Sequence, residues 1–453
     1  MRTIAISGMA ALAAVLGGAA VPATAMAQPT TGAHPAIAAR PAAAASAIAA
    51  VRSALRTAPR AVGVGVETVN GEPLISCVAT TDCLGVQGSS AITDAGAATP
   101  NRVGRWNGSS WKGVGLALPK GTKSDDLNAV SCQGAKSCLV VGDYYTSTSR
   151  NAASHPLALS YNGTSLKPTT LPLPKGTTEA ALSSVSCATT RYCVAVGQAG
   201  GSTAAFGDLG SLNIVETWNG STWALHTIAT VIGKTAVQPI GVSCATTAFC
   251  VLAGESAEII SPSSPPPSPP PVLLYVASWN GKKLTTMKPA VVGSPAAVPV
   301  PTSVSCATAS NCAITGSDLG EAANATFTAF TEIWNGKTWQ LAKVTWPKGT
   351  KESFTIGVSC YGAHSCEAVG LDGASAANNA PEDAAAVAFN GTAGTLQSVP
   401  APSKGRSTAF SGVSCLSSAA CVAVGGTGTT TAKSPAVMTG VWNGKTWRLE
   451  PGF

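Results

Sequence analysis

The stretch Ser186-Cys187-Ala188-Thr189-Thr190-Arg191-Tyr192-Cys193-Val194-Ala195-Val196-Gly197, followed by Trp218-Asn219-Gly220-Ser221-Thr222-Trp223, decides the fold because it recurs. Ser-Cys, five residues and a second Cys appear seven times. The pairs are Cys77 with Cys83, Cys132 with Cys138, Cys187 with Cys193, Cys244 with Cys250, Cys306 with Cys312, Cys360 with Cys366, and Cys415 with Cys421. They use all 14 cysteines, and their first members lie 54 to 62 residues apart. An aromatic-Asn-Gly triplet closes each unit, starting at Trp106, Tyr161, Trp218, Trp279, Trp334, Phe389 and Trp442. Four units follow it with a second tryptophan: Trp111, Trp223, Trp339 and Trp447.

Each unit reads as four short strands. Val-Ser-Cys and Cys-x-Ala-Val-Gly are small and apolar, as strands buried on both faces are. The third runs into the triplet aromatic, and the fourth leaves through the second tryptophan. Asn-Gly predicts a two-residue type I′ hairpin, whose central positions both take positive φ. Seven copies of a four-strand unit predict an all-β chain folded as a seven-bladed β-propeller. The C-x5-C spacing sets the cysteines opposite each other across the first two strands, giving one disulfide hairpin per blade. Zinc sites use shorter spacings with a second pair nearby, and redox motifs use two intervening residues. Each bridge closes a small loop and contributes about 2 kcal/mol by chain entropy.

Composition agrees. The 453 residues include 48 Gly and 30 Pro, 45% are hydrophobic, 11% are charged and 5% aromatic. Mean hydropathy is +0.24. This excludes a coiled coil, a disordered chain and a membrane bundle, and predicts many turns. A net charge of +7 is too weak to argue for nucleic acid.

Residues 1–27 read as a secretory signal: Arg2, an apolar run from Ile4 to Val21, and Ala25-Met26-Ala27 before the cleavage point. An Ala-rich flexible leader follows over 28–61, then the propeller over 62–453 with a Pro-rich insertion at 261–271. Val62 to Thr68 is a candidate extra strand at the ring closure. The mature chain is expected to be a secreted, extracellular monomer with no membrane span and no cofactor.

These units resemble the secreted β-propeller repeat proteins of actinobacteria, built from SC-x5-C-x-AVG and WNG-x-x-W, over residues 74–449. The Asn-Gly-x-x-Trp turn is also similar to the Asp-box hairpin of sialidase-type propellers, with Asn in place of Asp. The resemblance implies a propeller and export, and carries no established activity.

Spacing separates scaffold from variation. From each triplet to the next Cys the distance is 26 or 27 residues, whereas from the second Cys to the triplet it runs from 21 to 29. The variable loops therefore join the second and third strands, and share a face with the inter-blade links. On that face Lys120, Lys175 and Lys348, in Pro-Lys-Gly-Thr links, are candidate ligand-binding residues, with Lys234 and Lys404 in comparable segments. Asp143, Glu255, Asp318 and Asp372, five or six residues past the second Cys, are expected at the channel mouth. Paired carboxylates there would serve glycoside hydrolysis, and single ones cation or sugar binding. No sialidase arginine motif, metal spacing, phosphate loop or nucleophile elbow occurs. The sequence thus predicts a non-catalytic binding propeller for an extracellular polysaccharide or protein, against a glycan-cleaving enzyme and a passive scaffold.

Overall fold

The computed structural model describes residues 73–88, 101–147, 152–200, 212–229, 231–232, 235–258, 272–290, 298–319, 327–373, 382–401, 407–428 and 436–453. The expected signal, leader, Val62–Thr68 strand and Pro-rich insertion lie outside them, as do the variable loops, Lys234 and Lys404. No helix occurs among the described residues, and so none crosses a membrane.

Seven sheets follow one another along the chain, each a meander of four antiparallel strands. Blade 1 runs from Leu74–Ala79 to Trp111–Gly113, blade 2 from Ser124–Gly134 to Ser165–Pro168, and blade 3 from Glu179–Thr189 to Trp223–Ile228. Blade 4 runs from Thr235–Thr246 to Leu284–Met287, and blade 5 from Val298–Thr308 to Trp339–Leu341. Blade 6 runs from Glu352–Tyr361 to Ala393–Gln397, and blade 7 from Ser407–Ser417 to Trp447–Pro451. Three sheets carry a short fifth strand that the repeat does not announce. Gly115–Leu116 and Lys343–Val344 pair in parallel with the outer strands of blades 2 and 6, and Val231–Ile232 pairs with the first strand of blade 4. Each covers a sheet edge that would otherwise be open.

The first strands of neighbouring blades meet around the whole ring, so they line the channel. Their inner edges expose backbone N–H groups with no strand to pair with. The serine before each first cysteine answers this. Cys132 N–H donates to Ser76 Oγ, Cys187 to Ser131, Cys244 to Ser186, Cys306 to Ser243, Cys360 to Ser305 and Cys415 to Ser359, at 2.8–2.9 Å. Cys77 N–H donates to Ser414 Oγ at 3.0 Å and closes the circle.

Among the described residues the seventh seam is closed by contacts, with blade 7 built from four consecutive strands. Ser411 Oγ donates to Pro73 O at 2.6 Å, and Trp111 Nε1 donates to Thr439 Oγ1 at 2.8 Å. Phe453 packs its ring 4.7 Å from that of Trp111. It occupies a slot left by the cross-strand glycines Gly85 and Gly104, where an added Cβ would stand 2.5 and 2.7 Å from its atoms.

A second constraint explains the Gly of Ala-Val-Gly. In blades 2 to 7 the first strand bulges by one residue, at Asn128, Ser183, Ile240, Thr302, Ile356 and Ser411. The bulge turns a carbonyl toward the second strand. A Cβ at Gly142, Gly197, Gly254, Gly316, Gly370 or Gly425 would lie only 1.8 to 2.3 Å from that oxygen. Asn128, Thr302 and Ser411 also donate across the seam to the next blade.

All seven expected disulfides form. Cys77 is bonded to Cys83, Cys132 to Cys138 and Cys187 to Cys193. Cys244 is bonded to Cys250, Cys306 to Cys312, Cys360 to Cys366 and Cys415 to Cys421. In every case the two residues are directly opposed in the ladder with Cα atoms 3.9–4.0 Å apart, and no cysteine is free. The second members Cys250, Cys312, Cys366 and Cys421 are fully buried on their second strands. Such a set fits an oxidising, extracellular environment.

The Asn-Gly turns differ from expectation. Trp106 pairs with Trp111 across a four-residue loop, and Asn107 Oδ1 accepts from the N–H groups of Ser109 and Ser110 at 2.9 and 2.8 Å. Only the glycine needs positive φ, +97° at Gly108. An Asx turn built on the side chain replaces the type I′ turn. Blade 6 is the exception, with Asn390 paired to Ala393 across a two-residue turn.

Two outcomes test this architecture. Thiol titration of the denatured, non-reduced chain finds no free cysteine; several would refute the clamps. Ser186→Ala leaves the Cys244 N–H without its acceptor and lowers stability by about 1–2 kcal/mol in urea unfolding, while Ser109→Ala on an exposed turn changes it little.

Candidate functional site

The disulfide hairpins and Asn-Gly turns lie at one end of every blade, since Cys83 pairs with Trp106 and the other blades repeat this register. The inter-blade links lie at the other end. Lys123 N–H donates to Tyr145 O at 2.8 Å, Thr178 N–H to Gly200 O at 3.1 Å and Lys351 N–H to Gly373 O at 2.8 Å, each at the far end of a second strand. Two faces result, a turn face and a loop face.

On the loop face the Pro-Lys-Gly-Thr links are well-formed turns. The N–H groups of Thr122, Thr177 and Thr350 return to the carbonyls of Pro119, Pro174 and Pro347 at 3.1–3.2 Å. The glycines take φ of +90°, +85° and +102°, as the third position of a type II turn requires. Lys120, Lys175 and Lys348 occupy the exposed second position. Their spacing is thus set by turn chemistry, and the turns present them beside the ends of the second strands.

The four carboxylates lie on the second strands, as expected, but not as one ring at a channel mouth. The first strands line the channel. Successive strand residues face opposite sides: Leu139, next to Cys138, packs with blade 3, and Val140 packs with blade 1. Asp143 and Glu255, five residues past their cysteine, therefore face one way, and Asp318 and Asp372, six past, the other. Asp143 is buried and accepts from Asn128 Nδ2 at 3.2 Å. Glu255 is buried opposite Gln238. Burial raises the pKa of Asp318. Among the described residues no three acids, histidines or cysteines gather closely enough to hold a metal.

One paired site does emerge. Asp372 stands directly opposite Asp383 on the adjoining strand. Its proton affinity is raised by burial first and by the Asp383 charge second. Thr350, in the Lys348 link, donates to Asp372 Oδ2 at 3.5 Å. Glu352, two residues further on, also has a pKa raised by burial. Lys348 and Asp372 therefore share one neighbourhood in blade 6. Asp383 carries no motif and follows a variable loop, so no sequence signal marks it.

Three buried glutamates also escape the motif reading. Glu216 and Glu332 precede their triplet tryptophans by two residues, where the other units carry Gly104, Leu159, Ala277, Val387 and Gly440. Glu367 follows its second cysteine, where the others carry Leu, Val or Ala. Aligning the repeats column by column exposes all three. Burial pushes Glu216 and Glu367 up to about 8 and Glu332 to about 7. Glu332 accepts from Ala290 N–H at 3.0 Å. Glu367 accepts from Gln397 Nε2 at 3.3 Å, and Trp447 Nε1 donates to the same glutamine, tying blade 6 to blade 7. Neither oxygen of Glu216 has a hydrogen-bond partner among the described residues.

The glutamates give a pH prediction. Each holds its proton in the folded chain up to pH 7–8 and releases it near 4.5 when unfolded. The folded state binds more protons in that window, so stability is full below pH 4.5 and falls as pH rises to about 8. Glu216→Gln raises the Tm at pH 8, by on the order of 2 kcal/mol in stability, and leaves it unchanged at pH 4. A Tm that climbs from pH 5 to 8 contradicts this.

No protein-family model matches the chain, and no curated protein does. Among solved structures it is similar to an ulvan lyase from a new family of polysaccharide lyases, at 9% identity and TM-score 0.53, covering 86% of this chain and 97% of that one. A Hadza microbial sialidase matches at 9% identity and TM-score 0.43, over 82% of this chain and 73% of the other. YCF48 from Cyanidioschyzon merolae matches at 12% identity and TM-score 0.41, over 84% and 98%. At these identities the likeness concerns the fold alone, and the fold is a seven-bladed propeller.

Proposed function

We propose that the chain is an exported, non-catalytic binding propeller that holds an extracellular polysaccharide or protein on its loop face. The observation that carries this reading is the inequality of the two faces. Disulfides and near-identical Asx turns fix one end of the blades. The other end joins variable loops to ordered link turns bearing Lys120, Lys175 and Lys348. A rigid scaffold with variation confined to one face is the arrangement of binding proteins. The likeness to actinobacterial secreted propellers, the signal at 1–27 and seven disulfides support export. The solved ulvan lyase carries a GlcA(1-4)Rha3S unit on the same kind of fold, which supports a glycan as the first ligand class to try.

A second reading, glycan cleavage, is favoured by the Asp372–Asp383 pair. Two facing carboxyls, one of them Asp372 with its proton affinity raised by burial, are the groups a general acid and its partner require. A glycan array with a cleavage panel separates the readings. The expected result is retention of an extracellular glycan or protein without turnover. Lys120, Lys175 and Lys348→Gln, or Asp318→Asn, then weaken it about tenfold. Turnover abolished by Asp372→Asn or Asp383→Asn would replace binding by catalysis. Neither retention nor turnover would leave a passive scaffold.

A further inference from the structure

The turn face, which the loop-face reading leaves idle, has a charge pattern of its own. In the disulfide hairpin tips and Asn-Gly turns stand Lys136, Arg191, Lys282, Lys283, Lys337 and Lys445, all exposed. The single acid in these segments is Asp82, ion-paired with Arg105. The other acids of the described chain lie toward the loop face, as Asp125, Asp126, Asp143, Glu179, Glu352 and Asp372 do, or between blades, or on an outer strand, where Glu450 pairs with Arg448. Among the described residues the turn face is therefore positive, and the exposed link lysines Lys120, Lys175 and Lys348 belong to the opposite face.

Two details show this face to be ordered. The stems of Lys136 and Arg191 lie against the positive-φ glycines of the turns in their own blades, where a Cβ on Gly163 or Gly220 would meet them at 2.8 and 3.0 Å. In blades 1 to 3 a hydroxyl takes the turn position that a lysine takes in blades 4, 5 and 7. Ser109, Thr164 and Ser221 donate to the Asn Oδ1 of their turns at 2.9–3.0 Å, so their exposed oxygens are left as acceptors.

We infer that the turn face is a docking surface for a linear acidic polysaccharide, one carrying carboxylate or sulfate groups along a hydroxyl-rich chain. The bases are distributed over five blades, so a compact anion reaches only one or two of them and an extended one reaches several. Acceptor oxygens between them suit sugar hydroxyls. The Trp, Tyr and Phe rings of this face are buried or half-buried, which leaves little platform for stacking nucleobases. Attraction of this kind is long-ranged and screened by salt.

The test measures retention of the intact, oxidised protein on immobilised polygalacturonate and on neutral dextran. The expected result is binding to polygalacturonate alone, weakening about tenfold between roughly 0.05 and 0.2 M salt. The variant Lys282→Gln/Lys283→Gln/Lys337→Gln/Lys445→Gln loses at least tenfold with an unchanged Tm. The control variant Lys123→Gln/Lys351→Gln, exposed at the loop-face end of the blades, keeps its affinity. No retention at low salt, equal loss in both variants, or tighter binding to DNA or anionic vesicles than to polygalacturonate would each overturn the proposal. Because the two variants lie on opposite faces, failure here leaves the loop-face reading standing, and the reverse also holds.

Discussion

The hydrogen bond from a cysteine N–H in one blade to a serine hydroxyl in the blade before it is the contact on which the ring depends. It is made seven times and returns to its start, from Cys77 to Ser414. Without it the inner edge of each first strand would face its neighbour with an unsatisfied donor, at a cost of about 1–3 kcal/mol. The serine and the cysteine are adjacent in sequence because they do different work at one place. The cysteine ties its own hairpin, and the serine ties the next blade. Blade-internal covalent bonds and blade-to-blade hydrogen bonds therefore meet along one circle around the channel.

The bulge in the first strand is the complementary device at mid-height. It turns a carbonyl toward the second strand, which forces glycine at the end of Ala-Val-Gly. It also aims Asn128, Thr302 and Ser411 across the seams. Above that level the second strand continues without a bulge, so strict alternation governs which seam each acid enters. The loop-face chemistry is accordingly partitioned seam by seam, and the Asp372–Asp383 pair arises only because a third-strand acid faces a second-strand one.

Much of the fold is legible because repetition amplifies weak signals. Seven Ser-Cys-x5-Cys copies carry blade number, hairpin and disulfide together. The four-residue Asx turn reads as type I′ because Asn-Gly suits both; the position of Trp111, five residues after Trp106, holds the answer. The candidate site is less legible. Five-residue and six-residue spacings look alike in sequence yet put side chains on opposite sides of a strand. Asp383 belongs to no motif at all. Glu216, Glu332 and Glu367 are readable as polar exceptions in apolar columns, a signal seen only once the repeats are superposed.

Among the described residues the four strands of every blade follow one another in sequence and the ring closes by contacts, an order that reaches beyond stability. Here a whole blade is also a whole stretch of coding sequence, beginning before its serine and ending after its outer strand. Gain or loss of one such stretch cuts no sheet and leaves every serine a cysteine to receive. The seams are interchangeable joints, so a circularly permuted chain opened at any inter-blade link inherits the same circle of bonds.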